Sequence, residues 1–300
     1  MCSNHQSSII SLSESEGDKK ALEEMRALLK KQTGVRAEIT KSKILELETQ
    51  IKAEKKMKSS LESSRKSFIK NLKGIVNNSG PSAVLSLNND DMTSLVLNGG
   101  YAEAVDEFID QSEKIAKVAQ ASFIETEVIQ TPNFIIDMMK KAATKRIFDD
   151  LVLPKVTAGV TNAMIGMSLG EPLSQSMSSL AQSLEQAEGR QLTEINTEIS
   201  MYGRGITASI AEAAGLNFYL YTGPEDGITR DFCSALVNKV VSDKQLSQLN
   251  NRQGLSVKTS LGGYNCRHSL SPVSEGFIQA AKLKKATKKD ISDANAGARK

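Results

Sequence analysis

INTEISMYGRGITASIAEAAGLNFYLYTG, residues 195–223, is where the chain changes its period. Ile195, Ile199, Ile206 and Ile210 recur at helical steps, and Leu192 continues the same face upstream. The pattern then reaches Ala213-Ala214-Gly215, where Gly215 is a natural residue to end a helix because it takes left-handed backbone without a Cβ clash. Directly afterwards LNFYLY at 216–221 alternates and is rich in aromatics, the first strand-like run in the chain. A helical region therefore meets a small α+β unit here. Gly203-Arg204-Gly205 matches neither a Walker loop nor a dinucleotide loop, so its glycines are read as positions of close helix contact, at the usual cost of Gly in a helix.

Upstream, the sequence reads as helix almost throughout. Residues 1–17 are Ser-rich without a sustained period, and a flexible arm carrying Cys2 and His5 is expected. From Asp18 to about Val76 there is no Pro, and Ile44, Leu47, Ile51, Leu61, Phe68, Leu72 and Ile75 predict one long amphipathic helix or a helical hairpin broken at Thr33-Gly34. Glu54, Lys58 and Arg65 interrupt any heptad seam, which argues for a helix lying against a partner surface and against a strict coiled coil. NNSGPS at 77–82 reads as a breaker and LNNDDMTSLVLNGG at 87–100 as a second polar connection. Two packing helices follow, over residues 101–120 and 132–150, the second with Thr131 as N-cap and Pro132 as first helical residue. A third starts at Glu171-Pro172, carries Leu173, Met177, Leu180 and Leu184 on one face, and is expected to stop at Gly189.

Composition agrees with this reading. Of 300 residues 39% are apolar, only 4% are aromatic and Trp is absent, so the core is built from residues that favour helices. The expected fold is mainly α with a small C-terminal α+β domain and long N-terminal amphipathic helices. Its expected organisation is an arm at 1–17, a helical region at 18–150, a domain at 151–278 and a basic tail at 279–300. Three cysteines make no disulfide framework, and no apolar span or h-region stands out, so we expect no membrane span, no Sec export and synthesis in a reducing cytoplasm. The net charge of +3 is too small for wholesale nucleic-acid binding. It conceals seven Lys or Arg among residues 282–300, against two Asp. Lys282, Lys284, Lys285, Lys288 and Lys289 are thus candidates for weak, salt-sensitive DNA contact, with a solvated tail as the plainer reading.

The residues that could carry chemistry follow the change of period. ITRDFCSALVNKVV predicts a short helix leading to a strand, and SDKQLSQLNNR a short helix capped by Ser242. In GGYNCRHSLSPV, residues 262–273, an extended backbone would point Cys266 and His268 to one side and Arg267 to the other. Cys233 could add a third soft group, giving three donors for a zinc ion, with Asp226 or Asp231 required as the fourth. The same residues, with Asn265 or Asp226 as the orienting group, formally suit a Cys/His nucleophile pair, although no protease-type signature surrounds them. A buried Cys and a hydrogen-bonded His that merely pin a small domain is the plainest reading. Asp226 and Arg230 are expected to pair across a turn, with Asp226 capping the segment that follows.

Asp226, Thr229, Arg230 and Cys233 in EDGITRDFC, followed some thirty residues later by Asn265, Cys266, Arg267 and His268, resemble the paired motifs of the C-terminal domain of phage Mu F-like minor head (head morphogenesis) proteins. The helix containing Thr197 and Glu198, its Ala-Gly turn and the aromatic strand after it resemble the same domain, over roughly residues 160–275. Many members have His in the first motif and Cys-x-Cys in the second; this chain has Cys233 with Cys-x-His, which keeps the count of soft groups while exchanging identities. The resemblance implies a low-copy virion protein of a tailed phage or prophage, associated with the portal and other head proteins inside the capsid. It implies assembly in the host cytoplasm, proximity to packaged DNA, and a role in head morphogenesis or genome delivery. An effector or enzyme packaged in the virion, or a zinc-stabilised adaptor, are the alternatives, and a structural role is favoured over a catalytic one because the exchange disturbs fixed catalytic roles.

Overall fold

The computed structural model describes residues 18–121 and 133–298. The expected arm with Cys2 and His5 and the Thr131-Pro132 cap lie outside the described residues. The chain is mainly helical, with one small four-stranded mixed sheet near its C-terminus. It divides into two compact units, each assembled from separated stretches: residues 18–52, 112–121, 133–140 and 196–298 in one, and 53–111 with 141–195 in the other. Four helices contribute to both: Gly34–Ser79 (α2), Ala102–Ala121 (α5), Asn133–Lys145 (α6) and Leu173–Ala213 (α8).

The all-helical unit is built on the second half of α2, where Met57, Leu61, Phe68 and Leu72 are fully buried. Gly80 has φ 74° and Pro81 opens α3 (Pro81–Leu85), as the breaker predicts. The expected polar connection at 87–100 is helical from Asn89 onward but kinks at Gly100, whose φ of 147° is not helical. Asn88 caps α4 (Asn89–Val96), which runs through a π-helical turn (Leu97–Tyr101) into α5 (Ala102–Ala121). Gly99 and Gly100 explain the turn: a Cβ on Gly99 would strike the Phe68 ring, and one on Gly100 would sit 2.8 Å from the Ser64 carbonyl. The glycines thus serve close approach to α2, which local composition resembles a loop in providing. Tyr101 stacks edge-on against Phe68, and Phe108 against Phe148.

The expected helix over 132–150 is α6 (Asn133–Lys145), which continues through a π-helical stretch (Arg146–Val152) into α7 (Leu153–Ser168). Ile147 is buried, whereas Met138 is exposed. α8 does not stop at Gly189. That residue lies on the exposed side with nothing near its Cβ position, so the helix absorbs a penalty of about 1 kcal/mol and continues.

The mixed unit begins with a hairpin. A helix over 18–29 (α1) and the first half of α2 bury Ala21, Met25, Ile44 and Leu47 against one another, and the break falls at 30–33. α8 ends in a Schellman turn: Gly215 has φ 68°, Leu216 N–H reaches the Ala211 carbonyl, and Gly215 N–H reaches that of Glu212. The strands are β1 (Phe218–Thr222), β2 (Lys239–Ser242), β3 (Ser269–Val273) and β4 (Lys284–Lys285), ordered β3-β1-β2-β4. β1 pairs antiparallel with β2 and β3, while β2 and β4 run parallel. Strand alternation then sorts the core. Tyr219, Tyr221, Val241 and Leu270 face one cluster, and Leu220, Val240 and Val273 face another that includes Ile39 of α2.

Short helices connect the strands: α9 (Asp231–Ser234), α10 (Asp243–Leu246) with its Ser242 capping box, α11 (Val257–Ser260), α12 (Glu275–Ala280) and α13 (Lys288–Gly297). β4 and α13 occupy most of the stretch expected as a basic tail. Thr287 and Asp290 form a capping box for α13, and Ala286, Ile291, Ala294 and Ala298 are buried in the same core as Tyr221 and Cys233. The boundary at 278 is therefore not a domain boundary. Lys282, Lys284, Lys285, Lys288 and Lys289 are all exposed, on this ordered frame. Lys285 also pairs with Glu275 and lies over the Phe218 ring.

Burying an ionisable group at a fully enclosed site is costly, so Ala294→Asp should lower stability by roughly 3 kcal/mol or more, seen as a thermal midpoint lower by on the order of 10 °C. Lys288→Ala with Lys289→Ala should change stability by less than about 0.5 kcal/mol per site.

Candidate functional site

Two turns deliver the site. Past β1 the chain folds into an Asx turn in which Asp226 Oδ1 accepts from the Ile228 amide and the Thr229 hydroxyl, so Asp226 does cap the segment that follows. α9 then carries Cys233 inward. Later, Asn265 adopts φ 53° while its amide donates to the Thr197 hydroxyl on α8. Beyond it the backbone is extended through 266–268 into β3, and Cys266 and His268 fall on one side.

The three soft groups meet. Cys233 Sγ is 3.8 Å from Cys266 Sγ, which is 3.7 Å from His268 Nδ1, and all three donor atoms lie within 4.8 Å of one another. Each residue is buried. His268 Nε2 lies 2.9 Å from the Pro224 carbonyl. A carbonyl only accepts, so Nε2 carries a proton and donates it to Pro224, while Nδ1 faces the thiols. Tyr221 donates its hydroxyl proton to Cys233 Sγ at 3.3 Å. The hydrogen bond between the thiols, together with burial, pushes Cys233 far above the usual thiol range. The same bond, reinforced by His268 and Arg204, holds Cys266 well below it.

Arg204 is a site residue that the sequence pattern does not disclose. It is 3% exposed on α8, and its guanidinium donates to the carbonyls of His268 at 3.0 Å, Thr259 at 3.1 Å and Cys266. A buried charge satisfied by three carbonyls fixes the backbone of the Cys-x-His segment. The flanking glycines behave as expected for close contact: a Cβ on Gly203 would meet Ile115 of α5, and one on Gly205 would meet Met139 of α6.

Asp226 and Arg230 do not pair. Arg267, which points away from the thiols as expected, takes Asp226 in a two-pronged ion pair at 2.6 and 2.7 Å. Arg230 instead donates to the Tyr264 carbonyl at 2.7 Å. Burial alone would raise the Asp226 carboxyl, but the Arg267 fork, the Thr229 hydroxyl and the Ile228 amide hold it below the ordinary carboxylate range. Neither Asp226 nor Asp231 joins the converging donors as a fourth ligand.

The cluster is also sealed. Lys43, Glu46, Leu47 and Gln50 of α2 and Met25 of α1 close over Gly223, Arg267 and His268, leaving a cavity of about 10 Å³, at most a single water. Gly223 and Gly262 bring backbone directly against the donors: a Cβ on the first would strike the His268 ring, and on the second the Cys233 sulfur. A substrate would reach these thiols only after the domain opened. As it stands, the arrangement can clasp two chain segments or hold a soft metal ion.

Arg204→Lys should lower stability by about 3 kcal/mol, because an ammonium cannot serve three divergent carbonyls. It should also speed reaction of the two buried thiols with a thiol reagent under native conditions. For Asp226, the folded pKa is depressed, so its contribution is present above the unfolded value and disappears as pH falls through the folded one. Asp226→Asn should accordingly be destabilising at pH 7 in denaturant titration, with the difference from the natural chain closing below about pH 4. The chain matches no family model, no curated protein and no solved structure, so the functional reading rests on its own residues.

Proposed function

We propose that this chain is a minor structural protein of a tailed-phage head, acting with the portal in head assembly or genome delivery. The observation that carries the reading is the sealed convergence of Cys233, Cys266 and His268 from two motifs thirty-three positions apart, the motif pair that resembles Mu F-like proteins. Enclosure favours a clasp over a catalytic centre, since a nucleophile must be reachable. Among the described residues no helix is long and apolar enough to cross a membrane. The exposed lysines at 282, 284, 285, 288 and 289 stand on ordered backbone, where they would meet packaged DNA through salt-sensitive phosphate contacts. The chain would be made and assembled in the host cytoplasm and reside inside the capsid near the portal.

Mass spectrometry of purified particles from the phage or prophage that encodes the chain should find it in low copy number, and the purified chain should bind a portal oligomer. Absence from particles together with no portal binding would overturn the reading. If Cys266→Ser and His268→Ala abolish an effect on the host while particles assemble in full, the role is that of a delivered effector.

A further inference from the structure

We propose that Cys233, Cys266 and His268 bind one zinc ion, which closes the clasp between the two motifs. The inference rests on the clasp reading of this cluster and not on the phage reading. Zinc bonds of about 2.3 Å to sulfur and about 2.0 Å to nitrogen at tetrahedral angles place sulfur about 3.8 Å from sulfur and about 3.6 Å from nitrogen. The cluster has 3.8 Å between its sulfurs and 3.7 Å between Cys266 Sγ and His268 Nδ1. Two edges of the donor triangle thus have the length of a zinc tetrahedron's edges and all three donors lie within 4.8 Å of one another, whereas a disulfide needs its sulfurs at about 2.05 Å.

The surroundings suit the ion. Nε2–H of His268 is fixed on the Pro224 carbonyl, which frees Nδ1 as ligand in the way an outer-sphere acceptor orients a metal-bound imidazole. Tyr221 donates to Cys233 Sγ, and Arg204 immobilises the backbone of both ligands from the second motif. On binding, each thiol loses its proton to solvent and donates a sulfur lone pair to the metal. Two thiolates, one neutral imidazole and Zn²⁺ sum to zero charge, so the loaded cluster adds no net charge to a buried site. A water completes the fourth position, because neither Asp226 nor Asp231 converges on the donors.

The test uses the full chain, loaded with excess zinc and desalted, with metal measured by mass spectrometry. About one zinc per chain is expected in the natural chain and in Cys2→Ser. Cys233→Ser and His268→Ala should bind at least about tenfold more weakly. Because those variants risk misfolding, the natural chain is also titrated with Co²⁺, where sulfur-to-cobalt charge-transfer absorption should appear and be displaced by zinc. X-ray absorption should report two sulfurs in the zinc shell. A folded natural chain that takes up neither metal, zinc retention in Cys233→Ser, or a Cys233–Cys266 disulfide in the folded protein would each overturn the proposal. None of these outcomes bears on portal binding or particle content, so the two proposals fail separately.

Discussion

The buried guanidinium of Arg204 is the constraint on which the C-terminal unit depends. A charge taken out of water must find partners, and here all of them are backbone carbonyls, those of Thr259, Cys266 and His268. Carbonyls in an extended or turning segment are otherwise orphaned when buried, because no ladder or helix supplies their donors. One residue therefore solves two problems. Its N–H donors are satisfied by carbonyl oxygens, and it lets a non-regular stretch of chain enter the core without losing its hydrogen bonds. The position of Cys266 and His268 relative to Cys233 follows from that arrangement and from the helix that presents Arg204.

Around this centre, polar pairs hold each turn in place. Asp226 serves the Ile228 amide, the Thr229 hydroxyl and Arg267 at once, tying the first motif to the second outside the sulfur cluster. Lys43 and Glu46, a close and buried pair on α2, stand over the His268 side. The glycines at 223 and 262 work by what they lack. With no Cβ, the backbone itself forms the wall of the cluster, and the wall can be close.

Local patterns disclosed what is local. The passage from helix to strand at Gly215, the cap at Ser242 and the shared side of Cys266 and His268 all depend on neighbours within a few residues, and each is found where the spacing puts it. What escaped depends on partners far along the chain. Arg204 bonds to residues more than fifty positions away, and only its glycine neighbours hinted at close packing. Gly99-Gly100 has the composition of a loop and forms a kink between two helices, at Gly100, pressed on Ser64 and Phe68. In residues 282–298 charge dominates the sequence pattern, while Ile291, Ala294 and Ala298 carry the burial that fixes the segment in the core. The partner of Asp226 differs from the expected one for the same reason: Arg230 is near in sequence, and Arg267 is near in space.

The burial of α13 has a consequence for how the unit forms in the cell. The core that encloses Cys233 and Cys266 includes Ala294 and Ala298, while the cover on its other side, α2, is synthesised more than two hundred residues earlier. Cys233 and Cys266 leave the ribosome before the residues that will enclose them, and α2 waits for the strands it covers. Closure of this unit is therefore a late event dominated by non-local contacts, a slow kind of folding. Until translation has passed Ala298, the thiols are open to the redox state and metal supply of the compartment in which the chain is made.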